Sequence, residues 1–237
     1  MLHYNGDMMK IGFYGHSAAS WAGFPLNGEN SFIDKIVEKY DATLVNCGVP
    51  QGSEERILFE LKKTKELDIA VIFHSTASYI FLPKCARDVS VHDAGIRKAA
   101  RLWDQNPTQE SIEAVKKDYF SYGKIKEVFG DIETFVSTMS LYDEYLHHPD
   151  LQMNRFIGSL VQIDQYLAAK NIPAIHVYAE NKLPSWFSFS NGLIATDVQK
   201  LTETYYARGL PNNVSADGQV AIAYRLAKHI DNLIKTQ

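Results

Sequence analysis

Basic charge is scarce in this 237-residue chain: 24 Lys and Arg stand against 28 Asp and Glu, a formal net charge of −4. No global positive field is available to hold a phosphate backbone, so nucleic acid is not an expected partner. Long apolar runs are missing too. None approaches the roughly 18 residues that a membrane span needs, and the opening MLHYNGDMMK lacks the apolar stretch of a signal peptide. The expectation is a soluble, cytoplasmic chain with no membrane partner. The only two cysteines, Cys47 and Cys85, lie far apart without a CxxC spacing, which argues against a zinc site and a disulfide framework. A GxxxxGK[ST] loop, internal repeats and low-complexity tracts are also lacking.

What is present is ordinary globular material, 46% hydrophobic and 22% charged, enough to bury one core. The first part alternates: IGFY (11–14), ENSFIDKIVEKY (29–40), ATLVN (42–46), SEERILFELKKTK (53–65) and DIAVIF (68–73). Short apolar runs separated by amphipathic stretches of ten or more residues predict βαβαβ units and a parallel sheet buried on both faces. Ser31, with Asp34 three residues on, forms a candidate capping box. Right-handed crossovers order the strands 2-1-3, with a crevice above the carboxyl ends of strands 1 and 3.

From Lys84 to about Lys170 the pattern turns helical, with DAGIRKAARLW, SIEAVKKDYF, IETFVSTMSLYDEYL and NRFIGSLVQIDQYLAAK as segments and Pro107, Gly123, Gly130 and Pro149 as interruptions. This predicts a helical insertion, placed at 84–150, in a single domain spanning 1–237. IPAIHVYA (172–179) returns as a strand, ENKLPSWFSFSNG reads as an aromatic loop, and a last helix runs from about Ser215, its N-cap, to Ile234, with Asp217 in the first turn.

The candidate chemistry gathers at strand ends. Ser17, in FYGHSAAS, follows strand 1 among small residues that would let a substrate and backbone N–H groups approach its oxygen. Strand 2 ends in VNCGVPQGS, where Gly48 can present its N–H unobstructed. Strand 3 ends in IFHSTASY, bringing His74, Ser75, Thr76 and Ser78.

These blocks resemble the SGNH (GDSL) hydrolase family. FYGHS is similar to its Gly-Asp-Ser block with His16 in the aspartate position, and Asn46-Cys47-Gly48 is similar to its Asn-x-Gly turn. The resemblance implies a three-layer αβα sandwich with a flavodoxin-like parallel sheet of order 2-1-3-4-5 and a helical insertion after strand 3. It also implies Ser17 as nucleophile, Gly48 as an oxyanion donor, and no cofactor or metal. The third block falls on Ser75-Thr76-Ala77-Ser78 and lacks its asparagine; the last falls on Leu210-Pro211-Asn212-Asn213 and lacks both aspartate and histidine. A serine hydroxyl is a weak nucleophile without a base. His74 is the candidate replacement, and Asn213 can orient a ligand but takes no proton at neutral pH.

Structural roles compete with each of these. Ser17 equally suits a turn, His74 a satisfied strand-end histidine, and His176 a buried structural position. His16 points away from Ser17 in an extended chain. The pair His147-His148 has no partner at helical spacing and predicts no metal. Trp186, Phe187 and Phe189 line either an acyl or sugar pocket or pin their loop to the core, and Asn181 and Ser185 in the same loop stay open. Two functions follow: a serine esterase or deacylase acting on a small ester or acetylated sugar, or a non-catalytic domain that binds a glycan or protein in the crevice. A flavin binder ranks behind both, because the Thr-Gly-x-Thr pattern of such phosphate loops is absent.

Overall fold

The computed structural model describes residues 8–15, 31–46, 48, 52–74, 79–82, 87–90, 127–142, 148–178, 186–198, 200–201 and 216–236. These divide into two compact units, Met1–Thr76 with Gly158–Gln237, and Ala77–Ile157.

The first unit is built on a five-stranded, all-parallel sheet. Its strands are β1 (Lys10–Gly15), β2 (Thr43–Asn46), β3 (Ile69–His74), β6 (Ala174–Tyr178) and β7 (Gly192–Ile194), in the spatial order β2-β1-β3-β6-β7. With its five strands numbered in chain order, that is the expected flavodoxin-like order 2-1-3-4-5. The fifth strand is only three residues, GLI, directly after the aromatic loop that the sequence pattern suggested.

Helices cover both faces: β3 and β6 are buried throughout and β1 from Ile11 onward, with apolar side chains in both directions. One face packs Ile11, Phe13, Ile69, Val71, Phe73, Ile175 and Val177 beneath α1 (Phe32–Lys39) and the C-terminal helix, labelled α5 (Ala216–Thr236). The other packs Tyr14, Ala70, Ile72 and Ala174 against Ile57, Leu58 and Leu61 of α2 (Glu54–Lys63) and against Ile163 and Leu167, from the later part of α4 (Pro149–Ala169). The chain therefore leaves β1 on one side and enters β3 from the other, which is the reversal at which sheets of this kind bind ligands.

Local chemistry fixes the register. The Ser31 box forms as expected: Asp34 N–H donates to Ser31 Oγ at 3.2 Å and Ser31 N–H donates to Asp34 Oδ2 at 2.8 Å. At the start of the sheet, Lys10 N–H donates to Asp68 Oδ2 at 2.7 Å while Asp68 N–H donates to the Lys10 carbonyl at 2.9 Å. At the other end, Gly15 closes β1 opposite Phe73 with φ +128°. A Cβ there would overlap the Phe73 carbonyl oxygen, so only glycine fits where β1 leads into the segment carrying Ser17.

In the second unit, β4 (Tyr79–Leu82) and β5 (Arg87–Ser90) pair antiparallel as a two-stranded sheet. The 84–150 stretch therefore opens as a strand, where helical spacing alone was expected: the run RDVS is short, and in the ladder Val89 stands opposite Ile80. Helix α3 (Ile132–Leu141) follows, capped by Asp131, whose carboxylate accepts from Thr134 N–H at 2.7 Å. It buries Ile132, Phe135, Val136 and Met139, one helical face. Pro149, expected as an interruption, is the first residue of α4, where a proline costs no hydrogen bond. The segments 93–103 and 111–120 and the Ser215 N-cap lie outside the described residues.

Candidate functional site

Two of the three central strands end in histidine and tyrosine rather than apolar residues. On β3 the α2-facing positions are Ala70, Ile72 and His74; on β6 they are Ala174, His176 and Tyr178. A polar side chain on such a face is expensive unless paired. His74 is paired twice. Its Nδ1 lies 2.8 Å from Glu54 Oε2 and its Nε2 lies 2.8 Å from His176 Nδ1.

Glu54 reaches the ring because Ser53 caps α2, with its hydroxyl accepting from Arg56 N–H at 3.2 Å, so that Glu54 begins the first turn. The helix N-terminus favours a negative charge at that position. The result is a file of three ionisable side chains, Glu54, His74 and His176, with none above 3% exposed.

The two imidazoles are nearly coplanar, 13° apart, with centroids 5.1 Å apart as an in-plane Nε2 to Nδ1 contact demands. Tyr178 lies over His74 at 4.3 Å and Phe189 over His176 at 3.5 Å. The 6.2 Å between the Tyr178 and Phe189 rings puts both on the same side of that plane. Phe189 is held there by its neighbour: Ser190 donates its N–H to Asp164 Oδ1 at 2.9 Å and its hydroxyl to Asp164 Oδ2 at 2.7 Å. At the far edge, Gly192 leaves room for the imidazole; a Cβ would stand 2.6 Å from His176 Nε2.

Two buried polar atoms of this cluster have no hydrogen-bond partner, His176 Nε2 and the Tyr178 hydroxyl. Burial, reinforced by the neighbouring His74, holds His176 well below the ordinary histidine value, so this ring is neutral. Burial, then the charges of Glu54 and Asp164, push the Tyr178 phenol far above its usual range, so it keeps its proton. Tyr14, on the same face, is pushed up to about 12, chiefly by burial, and donates to Thr64 Oγ1 at 2.9 Å.

Hydrogen-bond arithmetic then orders the protons. With Glu54 as a carboxylate, which only accepts, His74 must donate from Nδ1. If His74 is neutral, its Nε2 accepts from His176 Nδ1–H and His176 Nε2 carries a bare lone pair. The cluster is thus a base with one unpartnered, buried end.

Of the residues the sequence singled out, His74 is in the cluster and Gly48 is half-buried just past β2. Ser17, Ser75, Thr76, Ser78 and Asn213 lie outside the described residues, as do His16, His147, Asn181 and Ser185. His74 differs from the expectation in one respect: both ring nitrogens are engaged, so neither is open to Ser17 in this arrangement. His176, expected as a structural histidine, is the one with an unengaged nitrogen. Glu54 was not foreseen; its signal was an acidic residue directly after a capping serine, at the start of a helix facing the histidines. Phe189 pins its loop while Trp186 is 69% exposed. Among the described residues no cluster of three His, Cys, Asp or Glu side chains could hold a metal ion, and no helix is long and apolar enough to cross a membrane.

Comparison of the sequence with protein-family models and with curated proteins gives no match.

Proposed function

We propose that the chain is a divergent SGNH-type serine hydrolase, an esterase or deacylase acting on a small ester or acetylated sugar. The observation that carries this reading is the buried Glu54–His74 pair at the carboxyl end of β3, beside the strand whose continuation holds Ser17. Ionisable groups are costly to bury, and such groups at the strand-end crevice of a parallel sheet favour proton chemistry over packing. In this reading the Ser17 hydroxyl attacks the acyl carbon and its proton passes to Nε2 of His74, released from its contact with His176. The Gly48 N–H, with Ser75, Thr76 or Ser78, meets the developing oxyanion, and Asn213 orients the substrate. The same reading has the enzyme working without cofactor or metal, on a small molecule in the cytoplasm, with no nucleic-acid or membrane partner.

A second reading, a crevice that binds a glycan or a protein without turnover, draws on a specific observation: the Nε2 atom of His74 that would face Ser17 is already held by His176. The two separate by reaction with a fluorophosphonate, followed by intact mass. A single adduct on the wild-type protein, lost in Ser17→Ala and diminished in Glu54→Gln, supports hydrolysis. A folded protein that takes up no adduct overturns it in favour of binding.

A further inference from the structure

Three buried side chains in a line, ending in an unpartnered ring nitrogen, have a direction. We infer that Glu54, His74 and His176 act as one proton-holding unit whose receiving atom is Nε2 of His176, with Glu54 and His74 as positioning residues behind it.

The balance is simple. In the empty state Glu54 is an anion and both imidazoles are neutral, each with its proton on Nδ1, so the unit carries one negative charge. In the titration a hydronium ion gives its proton to His176 Nε2 and leaves as water. His176 passes its own Nδ1 proton across the 2.8 Å contact to His74 Nε2. His74 becomes the imidazolium, still donating from Nδ1 to Glu54. The unit ends neutral: the positive charge rests beside the carboxylate and His176 never becomes a cation. A lone histidine in that buried place would have to hold the charge itself, which burial opposes.

The surroundings support this polarity. From β6, Tyr178 lies over His74 as a neutral phenol, and from α4, Asp164 lends negative charge near it while bound to Ser190. Tyr14 from β1 and Tyr166 from α4 stay on the same sheet face but direct their hydroxyls to Thr64 and to the Leu61 carbonyl. Glu54 from α2 remains the acceptor that faces His74. Gly192 on β7 and the stacked Phe189 hold the His176 ring in the plane that the transfer requires.

This unit stands apart from the hydrolytic reading above, because its receiving atom lies against Gly192 of β7, away from the β1 end that leads to Ser17. Long-range proton–nitrogen correlation spectra of the nitrogen-15-labelled full chain report which ring nitrogens carry protons. Across the pH range in which the protein is folded, His176 is expected to change from the Nδ1–H to the Nε2–H form in the same step in which His74 gains its second proton. Glu54→Gln should weaken uptake of that proton by at least about tenfold, a midpoint lower by one pH unit or more, and Glu54→Asp should recover part of it. A His176 that keeps one tautomer throughout, or two histidines that titrate separately, overturns the relay, and neither result needs a variant to fold. An intact relay in a protein that takes no fluorophosphonate adduct removes the hydrolytic reading alone.

Discussion

His74 Nδ1 lies 2.8 Å from Glu54 Oε2, with 0% and 3% of the two side chains exposed, so α2 and β3 are joined by a polar contact that water does not reach. Breaking such a pair from one side leaves the other group stranded. Glu54→Ala should lower unfolding free energy by about 3–5 kcal/mol. Glu54→Gln, whose carbonyl oxygen can still accept from Nδ1–H, should cost clearly less. Urea denaturation of the two variants side by side checks this; equal losses would mean that the contact contributes packing and nothing more.

A smaller element is expected to fail in a different way. The Ser31–Asp34 box satisfies N-terminal groups of α1 where that helix starts, with Ser31 itself buried. Ser31→Ala should cost about 1 kcal/mol and leave the His74 cluster unaffected, since the two lie on opposite faces of the sheet. A shifted urea midpoint with unchanged histidine spectra is the expected result.

That box was legible in the sequence because a cap is a local event: serine, three residues, a side chain that reaches back. The sheet order was legible for a related reason, since runs such as IGFY and DIAVIF alternate with amphipathic stretches and crossovers have one hand. Glu54, His74 and His176 are a different matter. They lie 20 and 102 positions apart, on a helix and two strands, and no spacing rule links them. Each is visible only as a polar residue at an apolar position. The pairing of β5 with β4 escaped as well, because four residues are too few to oppose a helical pattern around them. β7 was hidden by the preceding aromatic loop, and its place in the order follows from pairing with β6 rather than from its own three residues.

Two glycines guard the site from opposite sides. At Gly15 both the left-handed backbone and the Phe73 carbonyl forbid a side chain, so Gly15→Ala should destabilise by about 3 kcal/mol. At Gly192 the obstacles are the His176 ring and the Ala174 carbonyl, 2.6 and 2.9 Å from an added Cβ. Gly192→Ala should cost about 1–3 kcal/mol as the ring is displaced, and it should also disturb the His176 nitrogen resonances. Gly15→Ala, if it folds, should not alter those resonances in the same way. A Gly192→Ala protein with wild-type stability and unchanged spectra would show that the ring has room to give.

Acid should act through His176 before it acts through the carboxylates. Burial, and after it His74, keep His176 neutral well below its ordinary value of 6.5, whereas in the unfolded chain the same ring protonates near that value. Below about pH 6.5 the unfolded state therefore binds the extra proton and the folded state does not, so stability falls as the pH falls, by up to about 1.4 kcal/mol per pH unit for one such group. A proton taken up by the relay does not cancel this, because two histidines charge on unfolding and the folded cluster holds only one. Asp197 contributes later. Burial alone would raise it, but the hydrogen bond from His229 at 2.6 Å and the contact with Arg225 outweigh burial and hold it below its usual 3.8. Its share of stability is complete above that value and is lost only as the pH drops through the lower folded value. Urea midpoints between pH 8 and 4 should thus decline from about 6.5 downward, and His176→Gln should flatten that upper part of the curve whatever it does to stability at pH 8. An unchanged slope in His176→Gln would mean that the ring is protonated in the folded protein, and the proton order drawn for the cluster would have to be reversed.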